Sequence, residues 1–145
     1  RDQKCDEAVA SCACLNLRKA TRAVTQLFDE MLQPTGLRST QFVILVAIRQ
    51  TAPITAAQLA RELVMERTTL LRNARPLQQK GLISVTRASN RSKMLELTEE
   101  GENAVAEALP YWEQAQTRLV EELGQSRWER IVKQLKATVK AARSS

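Results

Sequence analysis

The chain has 145 residues, 43% of them hydrophobic and 26% charged, with a formal net charge of +6 and no histidine. This is one ordinary domain with enough apolar material to bury a core, which excludes a disordered chain. Without histidine the usual general base and the commonest metal ligand are missing, and no glycine-rich phosphate loop or nucleophile elbow replaces them, so neither an enzyme nor a cofactor is expected.

Four glycines and four prolines leave long uninterrupted stretches, which favours helices. Residues 1–20 carry charges throughout and contain no apolar core of a signal peptide. No apolar run reaches the roughly 18 residues of a membrane span. The three cysteines, Cys5, Cys12 and Cys14, sit at one end and form no disulfide framework, which points to a reducing cytoplasm.

Residues 7–32 read as one helix, with Val9, Cys12, Ala20, Val24, Leu27 and Met31 at helical spacing. Pro34 and Gly36 end it. Ser39 or Thr40 can cap a second helix containing Phe42, Leu45, Val46 and Ile48, closed by Thr51-Ala52-Pro53. Thr55 caps a short helix over 56–63. A further helix over 66–80 ends at Gly81, a natural C-terminal glycine.

The period then changes. Ile83, Val85 and Arg87 alternate, as do Leu95 and Leu97, around a polar segment: a β-hairpin with a basic tip. Thr98 caps a long helix whose first turn carries Glu99 and Glu100, matching the helix dipole. It extends to about Leu123, with a bend expected at Pro110. Gly124 breaks it and Ser126 opens the last helix, with Trp128, Ile131, Val132, Leu135 and Val139 on one stripe.

Charge is concentrated in the middle. From Arg38 to Lys93 ten basic residues face two acids, Glu62 and Glu66, giving +8, while the rest of the chain carries −2. Phosphates are the commonest partner of such a block. Rotation at about 100° per residue tests the helix over 66–80. With Leu70 at zero, Ala74 and Leu77 fall within roughly 40° of it, while Thr68, Arg72 and Arg75 fall at roughly 140–200°. Arg67 and Thr69 flank them. The outward face is thus Thr and Arg with no acid in its middle. Arg bonds bidentately to guanine, and Thr bonds to bases or phosphates. Leu71 lies off the apolar stripe and fits either a neighbouring helix or thymine methyl groups. Pro76 is expected to bend the helix end. On the hairpin, Arg87, Arg91 and Lys93 suit phosphates or the minor groove.

Three stretches carry a resemblance. They are Thr55-Ala56-Ala57-Gln58-Leu59-Ala60, then Glu66-Arg67-Thr68-Thr69-Leu70 with Pro76-Leu77-Gln78-Gln79-Lys80-Gly81-Leu82-Ile83, and finally Arg91-Ser92-Lys93-Met94-Leu95-Glu96-Leu97-Thr98-Glu99-Glu100-Gly101. Together they resemble the MarR family of bacterial regulators over almost the whole length. The resemblance implies a winged helix-turn-helix, mainly α with a small β-hairpin. It also implies a homodimer joined by first and last helices, palindromic double-stranded DNA as partner, and repression relieved by a small ligand or cysteine oxidation. The family usually carries Asp two residues before the wing arginine; here that place holds Ser89, which braces the wing less strongly.

The expected division is a DNA-binding part over 38–97 and a helical dimerisation part over 1–37 and 98–145. The expected DNA contacts are Arg38, Thr40, Arg67, Thr68, Thr69, Arg72, Arg75, Arg87, Arg91 and Lys93. Phe28, Phe42, Tyr111 and Trp112 are either core residues or the wall of an effector pocket. On a continuous helix Cys12 and Cys14 point about 200° apart, so no bridge between them is expected. Cys12 reads as a small buried hydrophobe or, at a dimer interface, as a redox-responsive thiol, with Arg18 and Lys19 one turn beyond Cys14. The rival function is a winged helix that contacts proteins and not DNA; it leaves the +8 block unexplained.

Overall fold

A computed structural model describes residues 2–88 and 92–144. Among them are α1 (Gln3–Ser11), α2 (Ala13–Leu32), a 3-10 turn (Gln33–Thr35), α3 (Ser39–Thr51), β1 (Ile54–Thr55), α4 (Ala56–Glu62) and α5 (Arg67–Gln79). β2 (Ile83–Arg87), β3 (Lys93–Leu97), α6 (Glu99–Leu123) and α7 (Gln125–Arg143) follow. The antiparallel sheet has the order β1-β3-β2. A helix-turn-helix (α4, α5) followed by a β2–β3 wing is the architecture the sequence implies. Helices α5 and α6 continue through Pro76 and Pro110.

The core is aliphatic. Leu32, Leu45, Ile48, Leu59, Leu70, Leu77 and Leu95 are fully buried, drawn from α2 through β3, and Val105 and Ala108 of α6 complete the cluster. Among the described residues no buried side chain is polar or charged. Burial of apolar surface therefore holds the fold, at about 25 cal/mol per Å².

Three expectations are corrected. The segment 7–32 is two helices, because Cys12 takes an extended conformation (ψ 116°) between α1 and α2. Asn16 stabilises this break: its amide donates to the carbonyls of Cys12 (2.8 Å) and Ala10 (3.3 Å). The Cys12 sulfur accepts the Leu15 N–H at 3.4 Å, so Cys12 caps α2 and lies half-buried, not on a helical stripe. Secondly, α3 begins one residue after Arg38, and its N-terminus is capped from outside. Asp29 Oδ1 accepts the Ser39 N–H at 2.7 Å, and Gln41 Oε1 accepts the Arg38 N–H at 3.0 Å. Thirdly, β1 was not expected: Ile54 and Thr55 pair with Leu95 and Met94.

Candidate nucleic-acid interface

Helix α4 is fixed by a reciprocal cap. Thr55 Oγ1 accepts the Gln58 N–H and Gln58 Oε1 accepts the Thr55 N–H, both at 3.1 Å. Leu59 and Ala60 seat it on the core. The turn into α5 passes through Val64 at φ 54°, a left-handed conformation that a β-branched residue rarely takes. Two bonds tie the turn to α4: Val64 N–H to the Arg61 carbonyl (3.2 Å) and Met65 N–H to the Ala60 carbonyl (2.8 Å).

Helix α5 buries Leu70, Ala74 and Leu77 and leaves Arg67, Thr68, Arg72 and Arg75 exposed. Thr69 is half-buried, and its carbonyl accepts the Asn73 amide at 2.8 Å. The first turn contains no acid, and Glu66 at the N-cap makes no side-chain capping bond. The first-turn N–H groups therefore have no side-chain cap, with Glu66 the acid that stands beside them.

Between α5 and the wing lies a groove of about 350 Å³, which brings together Thr68, Arg72, Arg75 and Gln78 of the helix with Lys93 of β3. Leu71 and Val85 line the groove as its apolar members; Leu71 is half-buried, packed against the core on one side and bordering the groove on the other. Arg87 and Lys93 are direct cross-strand partners. Like charges so placed repel unless something negative lies over them. Arg91 and the neighbouring Ser89 fall outside the described residues. Arg49 is already engaged: its Nε stands 2.8 Å from Glu102 Oε2 of α6, so it is a tie within the fold.

The end of α5 is locked to the start of α6. Thr98 Oγ1 donates to the Gly81 carbonyl (2.5 Å) and accepts the Gly101 N–H (3.1 Å), while the Thr98 N–H donates to the Leu82 carbonyl (3.1 Å). Gly81 takes φ +76° to make the turn. A Cβ on Gly101 would overlap the Leu82 carbonyl oxygen. The stretch Leu97-Thr98-Glu99-Glu100-Gly101 thus sets how α5 meets the rest of the molecule.

A second concavity, about 340 Å³, opens between α2, α3, the α4–α5 turn and α6. Phe28, Phe42 and Trp112 form much of it, with Val24, Leu63 and Met65. Phe42 and Trp112 are stacked, ring centroids 6.5 Å apart and planes inclined at 30°. Thr40, expected among the DNA contacts, lies on this pocket beside Ser39, whereas Arg38 is exposed outside it. Tyr111 packs against the core instead. Val24, Thr25 and Phe28 share α2, with Val24 and Phe28 one turn apart, whereas Met65 joins them from the α4–α5 turn; of Val24, Thr25 and Met65 only Val24 carried a sequence signal, as part of the helical stripe.

Comparison with known proteins decides what this arrangement is. A family model, MarR, matches residues 37–91. An HTH-type transcriptional regulator of Bacillus cereus is 32% identical over 105 residues, which span 72% of this chain and 71% of that protein. The M. tuberculosis transcriptional regulator MosR is 34% identical, with a TM-score of 0.84 over 95% of this chain and 100% of its own. MosR in complex with DNA is 35% identical, with a TM-score of 0.79 over 92% and 99% of the two chains. The chain belongs to the MarR family.

In this MarR chain the terminal helices are apolar on faces the fold does not cover. Neither α1 nor α7 contains a buried residue. Val9 is 63% exposed, Val139 45% and Leu135 38%. Cys5 and Cys14 are exposed and Cys12 is half-buried, all with free thiols. Among the described residues no helix is long and apolar enough to cross a membrane.

Proposed function

We propose that this protein is a sequence-specific DNA-binding repressor that works in the cytoplasm as a homodimer. Residues 38–97 read the DNA, and 1–37 with 98–145 join the subunits. The observation that carries the reading is the groove along α5 in which Thr68, Arg72, Arg75 and Lys93 converge with no acid among the lining residues. Such a surface fits α5 in the major groove, with Arg72 and Arg75 toward base edges, Arg67, Thr68 and Thr69 toward bases or phosphates, and Arg38 toward the backbone. Arg87 and Lys93 lie where phosphates would relieve their mutual repulsion. MosR, a relative of 35% identity, is described bound to DNA.

The exposed apolar residues Val9 of α1 and Leu135 and Val139 of α7 support a dimer, since their burial between subunits would place two recognition helices about one DNA turn apart. The pocket between α2, α3 and α6 is the proposed effector site, and oxidation of Cys12 or Cys14 is the other proposed means of release. The central test is Arg72→Ala on an operator selected from a random pool. It should lose about 1–3 kcal/mol of specific binding with folding intact. Equal affinity for parent and variant would remove α5 as the reading helix. A chain that does not bind random duplex at low salt would overturn DNA binding altogether, and light scattering showing a stable monomer at micromolar concentration would overturn the dimer.

A further inference from the structure

We propose that Leu71 reads a thymine methyl group, so that the protein selects thymine over cytosine beside the base pair that Arg72 contacts. The inference rests on reading α5 as the helix that enters the major groove, and it adds an apolar contact to that reading.

Leu70 and Leu77, the other two leucines of α5 besides Leu71, are fully buried. Leu71 is only half-buried. One side of it packs against the core and the other borders the groove between α5 and the wing. Thr68, one turn before it, and Val85 of β2 line the same groove. An apolar strip thus runs through a surface whose other members include Arg72, Arg75 and Lys93. The cations draw a duplex to this surface through its phosphates. A docked base pair then displaces water from the uncovered part of Leu71, which is favourable only where the base edge is itself apolar.

Thymine alone meets that condition. In the major groove it presents a methyl group, whereas cytosine presents an amino donor and the purines present polar atoms. An amino donor needs an acceptor such as Glu or Asp, and no acid lines this groove. Cytosine against Leu71 would therefore lose water and gain no partner. Arg72, the next residue, is exposed and carries the pair of donors that suits guanine. Each half-site is thus expected to hold a thymine next to a base pair that contains the guanine met by Arg72.

The test is fluorescence anisotropy of the full chain on an operator selected from a random pool, with thymines replaced by deoxyuridine one symmetric pair at a time. Deoxyuridine lacks only the methyl group and pairs as thymine does. The expected result is one pair of thymines whose replacement weakens binding about fifteenfold, from about fourfold per methyl group lost. Leu71→Ala and Leu71→Gln should bring that ratio close to one and leave the effects of other thymines as they were. The ratio is taken within each protein, so a variant that folds less completely loses both affinities alike, and the parent alone already tests whether a methyl group is read. No sensitive thymine in the parent, with Arg72→Ala still losing specific affinity, would overturn the Leu71 contact and leave α5 as the reading helix. Full sensitivity persisting in both Leu71 variants would give the methyl group to another side chain and overturn the contact as well. Arg72→Ala binding the operator as tightly as the parent would overturn helix and contact together.

Discussion

The carbonyl oxygen of Leu82 fills the space that a Cβ on Gly101 would need. Leu82 follows α5 and Gly101 lies in the first turn of α6, so backbone meets backbone where two elements join. Neither side has a flexible end that could move aside. Gly101→Ala should therefore cost about 2–3 kcal/mol, as overpacking does, despite the gain in helix propensity. Urea unfolding checks it; an unchanged midpoint would show that the joint yields at no cost. DNA affinity should fall in the same variant, because α5 is aimed by this joint.

The carboxylate of Asp29 should be worth a conventional helix cap. Asp29→Ala frees the Ser39 N–H and is expected to lower stability by about 1 kcal/mol. Asp29→Asn keeps an acceptor oxygen and should recover most of that loss. A loss as large in Asn as in Ala would mean that the charge, and not the hydrogen bond, does the capping.

At Val64 the expected sign is reversed. The residue is 51% exposed and sits at φ 54°, so its side chain contributes little burial while its backbone is strained by about 1–3 kcal/mol. Glycine removes the strain at a cost of about 0.5–1 kcal/mol in chain entropy. Val64→Gly should thus raise the thermal midpoint; a lower midpoint would mean that Val64 packs better than its exposure implies.

Lys93 separates folding from binding. It faces Arg87 across the wing, so Lys93→Gln relieves a like-charge pair and should leave stability unchanged or a few tenths of a kcal/mol higher. The same change should weaken DNA binding across sequences and flatten the salt slope by about one unit. A loss confined to one base position would instead make Lys93 a base reader.

What was legible in the sequence is what depends on one element at a time. The outward set on α5 follows from rotation about a single axis, and the buried Leu70, Ala74 and Leu77 fall on the stripe expected of them. The hairpin followed from alternation in two adjacent runs. What was hidden depends on partners distant in the chain. β1 is a strand only because Leu95 and Met94 lie beside it. The cap of α3 comes from Asp29, ten residues upstream, and was invisible to a search for Ser or Thr at the helix start. The break at Cys12 is held by Asn16, whose amide competes for helix carbonyls in a way that apolar spacing does not register. The pocket joins four segments, so its aromatic members could be named but not assembled.

Helix α6 bears on the wing joint at Gly101 and on the apolar pocket at Trp112. Eleven positions separate them, about 16 Å of rod at 1.5 Å per residue. A rod gripped at two places acts as a lever: about 5° of tilt at one grip displaces the other by roughly 1.4 Å over that length. Pro110 lies between the grips and removes one rung of the ladder near Trp112, so that is where the rod gives most readily. The 2.8 Å tie from Arg49 to Glu102 holds the far end to α3. The stiffness of nine residues, 102–110, therefore sets how much of any movement at the tryptophan reaches the base of the wing.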